Sequence, residues 1–229
     1  MGFYQIPDDA ITNIWSPYWF WQCTIPSFVC DEIVNSCKDQ DTDDMIYGSI
    51  DESHKSKHSN IRYNIRSSKV IFLEDAWINA MLFGYLQAAN AVNFNYVLSN
   101  IDKEMAQFTK YSGGNGLGKP SDNFYGPHQD FCMDKTNPAH LRKLSCTVQL
   151  SDGVDYVGGD LILNLPAYGQ DGSQRLSMDS RTENERFVMS RDKGSLVIFD
   201  SRIVHEITPI TSGTRYSLVK WASGDEPLR

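Results

Sequence analysis

Two periodicities divide the chain. Up to about residue 100 the apolar positions recur at helical spacing, and beyond Glu104 they alternate at strand spacing. After the aromatic stretch WSPYWFWQCT, Pro26 and Ser27 open a helix, with Ser27 as a candidate N-cap and Val29, Ile33, Val34 and Cys37 on one face. A polar segment runs from Lys38 to about Asn64. DAWINAMLFGYLQAANAVNF is the strongest helix: Trp77, Ile78, Met81, Leu82, Tyr85, Leu86 and Ala89 form one apolar stripe, which predicts a core face. The later runs EMAQFTKY, FYGPHQDF, KLSCTVQLS, DLILN, RFVMS, SLVIFD, VHEITPI and RYSLVKWA are short and separated by Gly, Asn, Asp and Pro. Eight such runs predict a mostly β fold, a double-stranded β-helix (jelly roll) or small barrel, with the two N-terminal helices packed on one outer face. The expected organisation is one domain over 1–229, in which 1–100 is helical support and 101–224 is the jelly-roll core. The insertions SGGNGLGKPSDN and PAYGQDGSQRLSMDSRTENE are long and polar, a length that points to function or disorder.

Composition narrows the function classes. The 229 residues are 41% apolar and 22% charged, ordinary for a globular protein. A net charge of −8 disfavours non-specific binding to nucleic acid. No run approaches the ~18 apolar residues that span a bilayer. MGFYQIPDDA lacks the basic and apolar regions of a secretory signal, and Ile6 stands where a myristoylation signal has Ser or Thr. There is no Asn-x-Ser/Thr sequon, and the five cysteines contain no CxxC pair. These features lead us to expect reduced thiols and a cytoplasmic setting.

The candidate chemistry begins at FYGPHQDF. On a strand, His128 and Asp130 project from the same face, giving two metal donors that need a third. His54 and His58 are spaced i, i+4 but lie in the solvated run SIDESHKSKHSN, and His140 in NPAHLRK has no obvious partner. His205 follows the buried-strand pattern GSLVIFDSRIV and is the better third ligand. Two imidazoles and one carboxylate suit a non-haem Fe(II) site with open positions. Two unrelated strand histidines satisfied in a core are the bland alternative. Arg215 stands ten residues later, and Ser212 and Gly213 suit a hairpin turn that would pair its strand with that of His205. A gap of about 16 Å at ~3.3 Å per residue then suits a short dicarboxylate, chelating at one end and meeting the guanidinium at the other. Ser217 shares the Arg215 face and adds a hydroxyl. The bland alternative for Arg215 is a surface arginine on an edge strand.

From about Gln107 to Ser223 the chain resembles the iron- and 2-oxoglutarate-dependent dioxygenases, in their prolyl-hydroxylase-like branch. The resemblance rests on QFTKYSGGN, FYGPHQD, LSCTVQLSD followed by VGGDLILN, and GSLVIFDSRIVHEITPITSGTRYSLVKW. It implies that His128, Asp130 and His205 bind Fe(II) and that Arg215 anchors 2-oxoglutarate. Tyr111 would also touch the co-substrate, with Ser217 and Gln149 beside it; some relatives have a tyrosine where Gln149 stands. Trp221, Arg66 and Tyr125 fall on the substrate side. The implied reaction consumes O2, converts 2-oxoglutarate to succinate and CO2, and hydroxylates an unactivated C–H bond, with ascorbate as reductant. The implied partner is a protein, peptide or amino-acid substrate, a peptidyl proline first, with no membrane. Asp130 speaks against halogenation, since related halogenases lack that carboxylate. The loop between Tyr111 and His128 is longer than in compact hydroxylases, so substrate identity does not carry over with the chemistry. The rival readings are a cupin-like protein that binds Zn2+ or Mn2+ without oxidation, and a non-catalytic jelly-roll interaction module.

Overall fold

The computed structural model describes residues 16–38, 46–47, 66–99, 104–114, 123–132, 134–165, 167–168, 174–175 and 185–225. Its elements in the first hundred residues are β1 (Tyr18–Trp21), α1 (Ser27–Cys37), β2 (Ile46–Tyr47), β3 (Arg66–Ser67), β4 (Lys69–Leu73) and α2 (Ala76–Ala89). Then follow β5 (Ala106–Ser112), β6 (Phe124–His128), β7 (Arg142–Gln149), β8 (Tyr156–Gly158), β9 (Leu161–Leu165), β10 (Ala167–Tyr168) and β11 (Gln174–Arg175). The last are β12 (Glu185–Val188), β13 (Leu196–Asp200), β14 (Val204–Ile207) and β15 (Ile210–Ser223). Two antiparallel sheets form a jelly-roll-like sandwich. The larger runs β1-β13-β7-β15-β5-β4-β2, with β8 also paired to β15; the smaller runs β12-β9-β14-β6-β3. The pair β10-β11 stands apart. The segments 48–65, with His54 and His58, and most of the two long insertions lie outside the described residues.

Strand alternation sorts the larger sheet into two different faces. On β7, Leu144, Cys146 and Val148 join a core with Ile33 of α1 and Ile78, Leu82 and Leu86 of α2. The helices therefore cover the outer face. The opposite face carries Ser145, Thr147 and Gln149, all buried, because the smaller sheet closes over it. A second cluster, including Leu163, Phe199, Ile207 and Ile210, fills the space between the sheets.

Four local expectations change. Ser27 is the first helical residue rather than the cap; Pro26 holds the cap position with no side-chain cap bond, its fixed φ of −55° leading into the helix. Trp77 is 49% exposed, so the buried stripe of α2 narrows to Ile78, Leu82, Leu86 and Ala89. β1 and β4 add strands to the larger sheet from segments that carried no strand prediction.

The fourth change matters most for the site. No hairpin forms at Ser212 and Gly213. β14 pairs with β6 and β9, whereas β15 pairs with β5, β7 and β8 in the other sheet. The chain crosses between sheets at Thr208 and Pro209. Gly213 lies within β15 at φ +78°, where an added Cβ would come 2.1 Å from the Asp155 carbonyl oxygen. Glycine is needed there for the close approach to β8, not for a turn. Among the described residues no helix is long and apolar enough to cross a membrane.

Candidate metal centre and adjoining cleft

His128 and His205 are register partners across β6 and β14, so their side chains meet inside the sandwich. β6 ends at His128, and Asp130 lies in a bend beyond it. Simple strand alternation therefore does not deliver Asp130. The bend is held instead by Phe131 N donating to Ser201 O at 2.9 Å and by the Gln129 side chain donating to Arg202 O. The donor atoms of His128, Asp130 and His205 all lie within 4.8 Å of one another. Asp130 Oδ1 is 3.7 Å from His128 Nε2, and Oδ2 is 3.6 Å from His205 Nε2.

Backbone carbonyls set both imidazole tautomers. His128 Nδ1 lies 2.9 Å from Gly126 O, and His205 Nδ1 lies 3.0 Å from Ile203 O. A carbonyl can only accept, so each Nδ1 carries the proton and each Nε2 turns its lone pair to the shared centre. The Tyr125 ring stacks on His128 at 3.4 Å, and Phe199 meets His205 edge-on at 4.7 Å. Burial, followed by the neighbouring His205, pushes His128 down to about 3. For Asp130, burial alone would raise the carboxyl, but His205, His128 and Arg142 together hold it below the usual carboxylate range. The result is an ionised carboxylate beside two imidazole Nε2 atoms that face one shared centre, donors that suit a divalent transition-metal ion.

Several residues that the sequence reading missed hold this set in place. Ser145 Oγ donates to Asp130 Oδ2 at 2.7 Å. Ser201 Oγ, 2.9 Å from Ser145 Oγ, must then be the donor in that second bond. Arg142 forms a bidentate pair with Glu104, donates to Asp130 O at 3.4 Å, and stacks 3.8 Å over the Trp221 ring. Trp221 is buried and sits opposite Ser145 in the β15–β7 register. Its indole N–H is near enough to Asp130 to help lower the carboxyl but closes no hydrogen bond. Beneath the bend, Asp200 accepts from Tyr96 and from the fully buried Arg202. The alternating polar positions of KLSCTVQLS were the available signal for Ser145.

Arg215 lies further along the same inner face. It is 2% exposed, opposite Tyr111 in the β15–β5 register, with its guanidinium 5.7 Å from the Tyr111 ring. Its Nη1 donates to Ser217 Oγ at 3.3 Å and its buried Nε has no partner. Among the described residues no carboxylate pairs with it. It is thus not a surface arginine. Arg215, Gln149, Thr147, Tyr156, Ser195 and Arg191 line a partly open cleft. Burial pushes the Tyr111 phenol up, against the pull of Arg66 and Arg215. Arg66 pairs with Tyr125 across β3–β6, its guanidinium 4.6 Å over the Tyr125 ring, and its Nε donates to Ser68 at 2.8 Å. Arg66 Nη2 is buried without a partner. His140 stays apart in a 3-10 turn, bonded to Asn137 O.

Residues 106–223 match the family model described as the 2OG-Fe(II) oxygenase superfamily. The chain is 31% identical over 115 residues to a PKHD-type hydroxylase of Shewanella oneidensis, covering 50% of this chain and 40% of that protein. It is 32% identical over 111 residues to a PKHD-type hydroxylase of Nitrosomonas europaea, covering 47% and 38%. The chain thus spans about two-fifths of the length of these curated relatives. In fold it is similar to a Pseudomonas putida prolyl-4-hydroxylase, with TM-score 0.61 and 18% identity, covering 95% of this chain and 97% of that one. It is also similar to a Trichoplax adhaerens prolyl hydroxylase in complex with a hypoxia inducible factor peptide fragment, with TM-score 0.61 and 17% identity, covering 95% and 87%.

Proposed function

The chain belongs to the 2OG-Fe(II) oxygenase superfamily, and from that premise we propose that it hydroxylates an unactivated C–H bond, of a peptidyl proline or another peptidyl residue, with 2-oxoglutarate as co-substrate. The family's cofactors are Fe(II), 2-oxoglutarate and O2. The donor chemistry fits them: His128, Asp130 and His205 would hold the metal, and the buried Arg215 would hold the far carboxylate of 2-oxoglutarate. When bound, these groups supply the oxidant: 2-oxoglutarate becomes succinate and CO2, and one oxygen atom enters the C–H bond. In this reading residues 101–224 are the catalytic core of a single domain and 1–100 its support. Ascorbate serves as the reductant.

The chain's own contribution is to orient and to shield. Gly126 O and Ile203 O keep both imidazoles facing the metal, and Ser145 fixes the Asp130 carboxylate. Tyr111 and Ser217 border Arg215 and would bind the co-substrate with it. Trp221, Tyr125 and Arg66 surround the metal side and would receive the substrate: an indole suits a pyrrolidine ring, and the unpartnered Arg66 Nη2 suits a peptide carbonyl. The likeness to prolyl hydroxylases, one of them in complex with a peptide, supports a peptide substrate.

The observation that carries the reading is Arg215, a buried cation with no acidic partner among the described residues, on the inner face that also presents Ser145 to Asp130. A non-oxidative metal protein has no use for it. The test is succinate release with Fe(II), ascorbate and 2-oxoglutarate over a panel of prolyl peptides and free amino acids. Turnover is expected with a peptide and should vanish in His128→Ala, Asp130→Ala and His205→Ala. Intact turnover in all three variants, or a wild type that binds neither metal nor 2-oxoglutarate, would overturn the proposal.

A further inference from the structure

The cleft around Arg215 holds a second donor whose proton meets no acceptor among the described residues. Gln149 Nε2 lies 3.1 Å from Ser151 O and 2.9 Å from Tyr156 Oη. The Ser151 carbonyl fixes the amide orientation, since an amide oxygen there would face another oxygen. The nitrogen therefore gives one N–H to Ser151 and the other to Tyr156. Both amide hydrogens of Gln149 are committed, so Gln149 has no donor left for an anion. Tyr156 accepts, and its own O–H must donate elsewhere. Tyr156 is only 3% exposed, and its hydroxyl donates to no acceptor among the described residues. Arg215 lines the same cleft and Arg191 stands 5.1 Å over the Tyr156 ring, but guanidinium groups cannot accept. Arg191 is itself paired with Asp160. Arg215 Nε has no partner, and the Tyr156 O–H, which accepts from Gln149, meets no acceptor among the described residues; two donors in one cleft are the arrangement a carboxylate would satisfy.

Resting on the oxygenase reading above, we infer that Tyr156 is a second contact for the distal carboxylate of 2-oxoglutarate, and that Gln149 is a positioning residue that aims the Tyr156 proton. The assignment of Gln149 as a direct contact gives way to this division of roles. Selectivity for a dicarboxylate then depends on three elements, Arg215, Tyr156 and the Gln149–Ser151 brace.

The test separates the two ends of the ligand. Mn(II)-loaded protein is titrated by calorimetry with 2-oxoglutarate and with 2-oxopentanoate, which keeps the chelating 2-oxo acid but lacks the distal carboxylate. Tyr156→Phe keeps the buried ring and should weaken 2-oxoglutarate about tenfold, the scale of one charge-assisted hydrogen bond. Binding of 2-oxopentanoate should stay within about twofold of wild type, so the same variant reports on its own fold. Gln149→Leu leaves the phenol but frees its proton to turn away, and should weaken 2-oxoglutarate alone, by a smaller factor. Equal losses for both ligands, or no loss for either, would overturn the inference while the oxygenase reading stands. A wild type that binds no 2-oxoglutarate overturns both.

Discussion

Replacing Arg215 by methionine should improve the stability of the protein while removing its response to 2-oxoglutarate. Arg215 is 2% exposed, and its polar returns are one hydrogen bond of 3.3 Å to Ser217 and a ring contact at 5.7 Å with Tyr111. The effective cost of burying an ion is several kcal/mol. A long neutral hydrogen bond and a distant ring together offset roughly 1–2 kcal/mol of that. Methionine keeps much of the length without the charge, so Arg215→Met should gain about 1–3 kcal/mol in the ligand-free state. The ligand then narrows that difference and, at its lower end, reverses it. At a concentration of about 100 times its Kd, 2-oxoglutarate stabilises the wild type by about 2.7 kcal/mol. Losing a buried charged pair costs about 2–5 kcal/mol of affinity, at least a thirtyfold weakening, which leaves the variant a gain below about 1 kcal/mol at the same concentration. Urea denaturation of the Mn(II)-loaded protein with and without 2-oxoglutarate measures all four states. A variant that is less stable than wild type without ligand, yet keeps the full gain with it, would show that Arg215 is a structural residue and refute the anion-site argument.

Three further outcomes follow from other parts of the site. Ser145→Ala should weaken divalent-metal binding about tenfold, because the Asp130 carboxylate loses the bond that fixes its rotation; equal metal affinity by competition with a chelator would contradict this. Arg202→Leu should cost about 3–5 kcal/mol in chemical denaturation, since it strands the buried Asp200 carboxylate, and the double change Asp200→Asn with Arg202→Leu should recover part of that loss; no recovery would mean that packing rather than charge is responsible. Metal-free protein should lose stability as pH falls from about 6.5 toward 3. Folded His128 stays neutral down to about 3, whereas unfolded chains take up its proton near 6.5, so acid favours unfolding across that window. The depressed Asp130 carboxyl adds a loss of the same sign below its ordinary range. A urea midpoint that is flat from pH 6.5 to 4, or equally sloped in His128→Asn, would refute this.

The parts of the site that were legible in the sequence are those where residue type alone carries the chemistry. His128, Asp130 and His205 could be grouped because few side chains bind a metal, and the pattern around each marked a strand or its end. The two helices were legible because their apolar spacing repeats over several turns. The hairpin was misread because Ser212 and Gly213 satisfy the local rules for a turn, and nothing local reveals that Gly213 is needed to admit the Asp155 carbonyl. Whether the chain after Thr208 folds back or crosses to the other sheet depends on which strands already wait there, β5 and β7 for β15, β6 and β9 for β14.

The polar faces of the strands mark the boundary most sharply. KLSCTVQLS alternates apolar and polar residues, a pattern that by itself predicts one buried and one solvated face. From the sequence alone came the two α-helices, the main strands beyond Glu104, their alternation and the reactive side chains. Only the tertiary structure decided that the polar face is also buried. The helices take the apolar side of the larger sheet, and the smaller sheet closes over Ser145, Thr147, Gln149 and Arg215. Once water is excluded, each polar group must find a partner or leave one for a ligand. That requirement turns Ser145 toward Asp130 and Gln149 toward Tyr156, and it leaves Arg215 with no acid among the described residues. No local pattern encodes it, because it arises only when two sheets distant in the chain face each other.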